Sequence, residues 1–238
     1  MHGIKMNNSD TFQSMTSAAG LSEDEGLLYL GGRYSSAEGS FMDAYNYFCP
    51  QYMNTFYWEA DYALPLPHGF TLTPALQYID QRSTGDALGG DFQTYAIGAK
   101  AQLDWRGFSL VLAYNQVADD HDMQQPWADY PGFTSMVELN NFLAGMDSAM
   151  LGLGWQGQDS HWGSLNAWAF YSLAHAPDRA ACSSPSQSEF DLIVTYQPRL
   201  APELGLTFKY ADVRQDQVLG QTSMQEVHVL LEWSLHLW

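Results

Sequence analysis

The sequence predicts an all-β fold, an antiparallel up-and-down barrel that spans a membrane. Three observations predict it. Apolar and polar residues alternate with a period of two along about ten segments. The connections between those segments alternate between short and long. The apolar faces of five segments end on a tyrosine.

The segments fall near residues 27–35, 53–64, 69–81, 92–104, 107–117, 148–156, 163–174, 189–198, 203–213 and 225–238. The first carries Leu28 and Tyr34 on its apolar face and Arg33 on its polar one. The second alternates Phe56, Trp58, Ala60, Tyr62 and Leu64 with Thr55, Tyr57, Glu59 and Asp61. The third runs from Phe70 to Tyr78, the fourth puts Lys100 on its polar face, and the fifth runs from Phe108 to Tyr114. The sixth follows an irregular stretch, 120–147. The seventh pairs Leu165 with Tyr171 but also places Trp168 and Phe170 on the face expected to be polar. The eighth sets Phe190, Leu192, Val194 and Tyr196 against Glu189, Asp191, Thr195 and Gln197. The ninth joins Leu204 to Tyr210, with Lys209 on the other face. The last alternates Val227, Val229, Leu231, Trp233, Leu235 and Leu237 with Glu226, His228, Glu232, Ser234 and His236.

Turns at "PLPHG", "DWRG", "QGQDSHWG" and "RLAPE" are short, whereas 36–52, 82–91, 118–147, 175–188 and 214–224 read as long connections. Outer-membrane barrels sort their loops this way, with short periplasmic turns and longer extracellular loops. The members of each apolar–Tyr pair are six to eight residues apart, which is about 20–26 Å of strand. That approaches the roughly 25 Å apolar band that aromatic girdles bound in membrane barrels. Tyr suits the boundary because its ring is apolar and its hydroxyl seeks water. Tyr34, Tyr78, Tyr114, Tyr171 and Tyr210 are therefore the expected girdle. The apolar faces then meet lipid and the charged faces meet a water-filled interior. An even number of strands, rising first and falling last, leaves both ends on the periplasmic side.

Composition agrees. Hydrophobic residues make up 46% and aromatic ones 14% of the 238 residues, yet mean hydropathy is −0.26. Apolar side chains are thus interleaved with polar ones, and no apolar run reaches the roughly 18 residues of a membrane helix. A formal charge of −18, from 27 acids and 9 bases, argues against nucleic acid as a partner. Cys49 and Cys182 both lie in loop-like sequence and pair only if the fold brings them together. The N-terminus lacks the basic start, apolar core and cleavage site of a secretory signal. The expected division is an irregular, periplasmic segment at 1–25 and a barrel domain at 26–238.

Three stretches resemble the OprD-type outer-membrane porins of Gram-negative bacteria. They are "GDALGGDFQTYAIGAKAQLDWRGFSLVLAYNQVADD" at 85–120, the pair "LLYLGGRYSS" and "TFYWEADYAL", and the terminal "EVHVLLEWSLHLW". The resemblance implies passive diffusion of small hydrophilic solutes, no catalysis, and contact with outer-membrane lipid and lipopolysaccharide. A homo-oligomer is left open. Members of that family are longer, with roughly twice as many strands, and they carry a ladder of lumen arginines. Here acids outnumber bases, so the solute class does not transfer.

For a channel, charged side chains along a narrow water path set selectivity. The candidate lumen set is Arg33, Glu59, Asp61, Lys100, Asp191, Lys209 and Glu232. Acids and bases on facing walls would orient dipolar solutes. The plainer reading is that they are solvated wall residues. The acidic stretch "ADDHDMQQPWADY" at 118–130 matches no calcium-loop spacing and reads as a solvated loop. No metal and no cofactor is expected, because no phosphate loop, cysteine-pair zinc site or nucleophile elbow occurs. Two other classes are weighed. A barrel hydrolase would need a His–acid pair, but His228 and His236 each stand about 13 Å along the strand from Glu232. A soluble ligand-binding barrel would reverse the two faces.

Overall fold

The computed structural model describes residues 3–4, 13–14, 17, 19–20, 25–37, 39–127, 132–157, 162–177, 186–217 and 220–234. Strands β1 (Gly3–Ile4) and β2 (Gln13–Ser14) form a small separate pair. One large sheet holds β3 (Leu28–Ser35), β4 (Phe41–Cys49), β5 (Met53–Asp61), β6 (Leu64–Leu66), β7 (Phe70–Ser83), β8 (Gln93–Trp105) and β9 (Phe108–Val117). It continues with β10 (Asp147–Gln156), β11 (Gly163–His175), β12 (Ser186–Pro198), β13 (Leu204–Gln217) and β14 (Gly220–Trp233). Apart from β6, which like β5 pairs with β7, each strand of this sheet pairs antiparallel with the next in chain order, the up-and-down topology expected. Strands β3 and β14 are the two edges, and no pairing joins them among the described residues.

β6 continues β5 on the same partner and in the same register, since Asp61 faces Ala75 and Leu64 faces Leu72. The interruption lies opposite Pro74, which accepts from the Tyr62 N–H at 3.0 Å but has no N–H to return. Counting β5 and β6 as one, the described sheet has eleven strands.

The added strand is β4, inside the stretch expected to be a long connection at 36–52. Its arrival reverses β3. The turn 50–52 joins β4 to β5 at the end carrying the long connections, so β3 starts at that end and descends. The first strand therefore does not rise. A second correction concerns 214–224, most of which is strand: β13 runs to Gln217 and β14 resumes at Gly220. The apolar positions Leu235 and Leu237 of the last segment lie outside the described residues.

The two faces carry the signs expected of a membrane wall. Leu112, Leu153, Leu173 and Val229 are each more than half exposed on the outer face. Glu59, Asp191, Gln77 and Asn115 are buried on the inner one. The inner face is covered by residues 118–127 and 132–146, the described parts of an inner segment between β9 and β10.

Register fixes the tilt. Along the ladder, Tyr114 stands level with Leu76, Tyr171 with Pro74, and Tyr210 with Leu72. Starting from Tyr78, the tyrosine line drops two residues for every two strands. With about 3.3 Å per residue and 4.8 Å between strands, the line is level in the membrane if the strands tilt by about 35°, within the range of transmembrane barrels. Tyr34 does not join this line. It stands level with Leu76 although it lies three strands away on the far side, so it falls near the short-turn end. This is the consequence of β3 descending.

Candidate functional site

Inward-facing side chains fix the described parts of the inner segment, 118–127 and 132–146, against the wall. On β7, Gln81 clamps the Gln124 backbone, accepting its N–H at 2.7 Å and donating to its carbonyl at 2.8 Å. Thr94 on β8 donates to the His121 carbonyl at 2.7 Å. On β12, Glu189 accepts the N–H groups of Glu138 and Leu139 at 2.9 and 2.8 Å, and Asp191 accepts that of Val137 at 2.9 Å. Asn141 donates to Ser172 on β11 at 3.1 Å and accepts from Gln187 at 2.6 Å. The segment has few backbone partners of its own, so strand side chains supply them.

A row of inward residues crosses the wall at one level: Arg33, Asp43, Glu59, Gln77, Gly98 and Asn115. Arg33 forms a two-pronged ion pair with Asp43 and lies over the Phe41 ring. Glu59 accepts from the Tyr57 hydroxyl and, at 3.2 Å, from Gln77. Below this row, Lys100 sits over the Phe133 ring at 4.4 Å. Glu59, Lys100, Gln102, Phe133, Trp168 and Phe170 line an inner cavity of about 320 Å³.

The rings of Trp168 and Phe170 stack with planes 2° apart. They explain their misfit to the alternation. Each lies over a glycine of β10: a Cβ on Gly154 would meet the Trp168 ring at 2.6 Å, and one on Gly152 the Phe170 ring at 2.7 Å. The rings thus cover bare backbone on the inner wall.

The expected lumen residues do not converge on one point. Arg33 and Glu59 share the row just described, and Lys100 joins Glu59 at the cavity. Asp61 accepts the Phe41 N–H at 2.8 Å and so serves the backbone. Asp191 holds the inner segment, and Lys209 stands beside it opposite His228. Glu232 is exposed on the edge strand β14. Three important residues fall outside the expected set. Asp43 lies in a strand read as loop, and Glu138 lies in the segment read as irregular. Glu189 shares the alternation of Asp191 and was legible as inward.

Two residues of the acidic stretch, His121 and Asp122, build structure. Asp122 accepts the Ala144 N–H at 2.6 Å, and the His121 ring packs on Phe92. Cys49 is buried beside Tyr52 and Met53, and Cys182 lies outside the described residues.

An apolar outer face, a tilted antiparallel wall and a polar inner face holding a folded-in segment define an outer-membrane β-barrel with a lumen. The sequence model of the OprD family of outer membrane porins matches residues 1–237. The chain belongs to that family. Its fold is similar to that of OccK1 (OpdK) of Pseudomonas aeruginosa, with a TM-score of 0.80 at 16% identity, covering 98% of this chain and 63% of that one. OccK9 (OpdG) of the same species gives 0.77 at 19% identity, covering 98% and 61%. OprD of the same species gives 0.77 at 16%, covering 92% and 61%. The chain thus spans less than two thirds of the length of these barrels. Comparison with curated protein sequences returned no match.

Proposed function

We propose that the protein is a passive outer-membrane channel for small hydrophilic solutes and catalyses nothing. One observation carries this reading: charge and hydrogen-bonding groups face inward across a wall whose outer face is apolar. Solute passes through the lumen alongside the inner segment. Lys100, Glu59 and the stacked Trp168 and Phe170 form a station on that path. Lys100 and Glu59 line the same cavity with opposite charge, so their field orients a dipolar or carboxylate solute. OpdK has been crystallised with vanillate, an aromatic carboxylate, and a lysine beside two stacked rings suits that chemistry. Arg33, Asp61, Asp191, Lys209 and Glu232 are proposed as further lumen charges. Tyr78, Tyr114, Tyr171 and Tyr210 are proposed as the girdle. The Tyr78 and Tyr114 hydroxyls support it by donating toward Asp80 and Asp147, at 3.3 and 2.7 Å.

Residues 26–238 are the proposed barrel domain. Ala19, from the segment before them, packs with Leu27, Cys49, Tyr52 and Phe92 at the long-connection end, which favours that end over the periplasm for this part of the segment. Exposed Asp119 and Asp120 at the same end suit divalent bridges to lipopolysaccharide. Planar-bilayer recording of the full-length protein tests the function. Wild type is expected to conduct and to show current interruptions with vanillate. Lys100→Glu should shift the reversal potential toward cations and remove the interruptions. A bilayer that stays silent, or a Lys100→Glu channel of unchanged selectivity, overturns the reading.

A further inference from the structure

Three metal-ligating side chains meet between the inner segment and the last strand. Glu226 and His228 are two residues apart on β14, so both project from its inner face. Glu138 reaches them from the segment 118–146. The His228 Nε2 lies 2.8 Å from a Glu226 oxygen and 3.6 Å from a Glu138 oxygen. One ligand atom from each residue falls within 4.8 Å of the others. We propose that Glu138, Glu226 and His228 form a binding site for a divalent transition-metal ion such as zinc, which clips the inner segment to β14.

The ligand chemistry selects the ion. Two carboxylates and an imidazole are three of the four ligands of a tetrahedral zinc centre, with water as the fourth. Ligand atoms about 2.1 Å from such an ion stand about 3.4 Å apart, close to the spacing seen here. Calcium is disfavoured, because it takes six to eight oxygen ligands and no nitrogen. All three side chains are partly exposed, at 23%, 36% and 41%, so an ion can enter from the lumen.

The surroundings favour an added cation. Glu138 and Glu226 lie close enough to hydrogen-bond to each other, so two acidic side chains converge on the imidazole. Asp191 and Glu189 add further acidic groups beside the cluster, and Lys209 stands opposite His228. The backbone of Glu138 is already fixed by Glu189, so little freedom is lost when its side chain ligates. On binding, the imidazole uses Nε2 as a lone-pair donor and the carboxylates coordinate in their ionised form.

The site does not depend on whether the lumen conducts. The test is calorimetric titration of the full-length protein in detergent with zinc chloride, with cobalt absorption spectra reporting geometry. Wild type should bind one zinc per chain in the micromolar range and give tetrahedral cobalt bands. Glu138→Gln lies outside the sheet and leaves the strands intact, and it should weaken binding by about tenfold or more. His228→Gln should abolish the cobalt bands. No zinc binding by wild type below millimolar, or wild-type affinity in Glu138→Gln, overturns the proposal.

Discussion

Glu189 is wholly buried, and its two oxygens each accept a backbone N–H of the inner segment. A carboxylate on a membrane wall is costly unless it is fully hydrogen-bonded, and here it is matched to two donors that have no other partner in a strand. Glu189→Ala strands both N–H groups, at about 1–3 kcal/mol for each buried unsatisfied group. The sheet keeps its own ladder, so the loss should be local. Limited proteolysis should cut within 132–146 in Glu189→Ala much faster than in wild type, while strand content by circular dichroism is unchanged. Glu189→Gln keeps one acceptor and should fall between the two. Equal protection in all three proteins would mean that the segment is held by its apolar contacts alone.

At the scale of the strand, orientation is the quantity that decides everything. Leu112 on β9 is 54% exposed on the outer face, and Gln102 on β8 faces the cavity. Leu112→Arg puts a cation into hydrocarbon near the middle of the wall and should cost about 2–4 kcal/mol. Gln102→Arg adds the same charge to a wet surface and should change stability by less than about 0.5 kcal/mol. Refolding into detergent micelles followed by urea titration distinguishes them, and equal costs would contradict the assigned faces. The alternation in β5 and β7 to β13 was readable because lipid and water impose opposite demands on successive residues. It failed in β4 for a physical reason. The inner face of β4 carries Phe41, Tyr45 and Tyr47, which pack on one another's neighbours, with Tyr45 and Tyr57 ring centroids 6.2 Å apart. Its outer face carries Asn46, which is tolerated there because it exchanges hydrogen bonds with Asn54 on β5. Aromatic residues on the inner face and Asn46 on the outer one blurred the alternation. The stretch 214–224 misled in another way, since its Gln, Asp and Ser residues read as loop while the backbone continued the β13–β14 ladder beyond the apolar band.

Across the whole molecule, the wall and the plug were legible to different degrees because different interactions build them. The wall is held by neighbour-to-neighbour pairing, which leaves a local periodic trace. The inner segment is held by Gln81, Thr94, Ser172, Glu189 and Asp191, residues from four strands far apart in sequence. No local pattern can encode such a contact set, and Glu138 acquires its neighbours Glu226 and His228 only through it. The segment fills space on the lumen side, with Phe133, Leu139 and Phe142 buried against the wall. It should therefore set the width of the water path. Replacing residues 132–141 by a Gly-Ser linker of equal length keeps the chain connected and removes the Phe133 ring over Lys100 and the Glu189 and Asp191 contacts. Conductance should rise and discrimination among solutes of different size should fall, both read from single-channel currents and liposome swelling. The wall should still assemble, because its ladder and its lipid-facing side chains are untouched. If the shortened contact set leaves the conductance unchanged, the segment is not the constriction, and selectivity must reside in the wall charges Arg33, Glu59 and Lys209 instead.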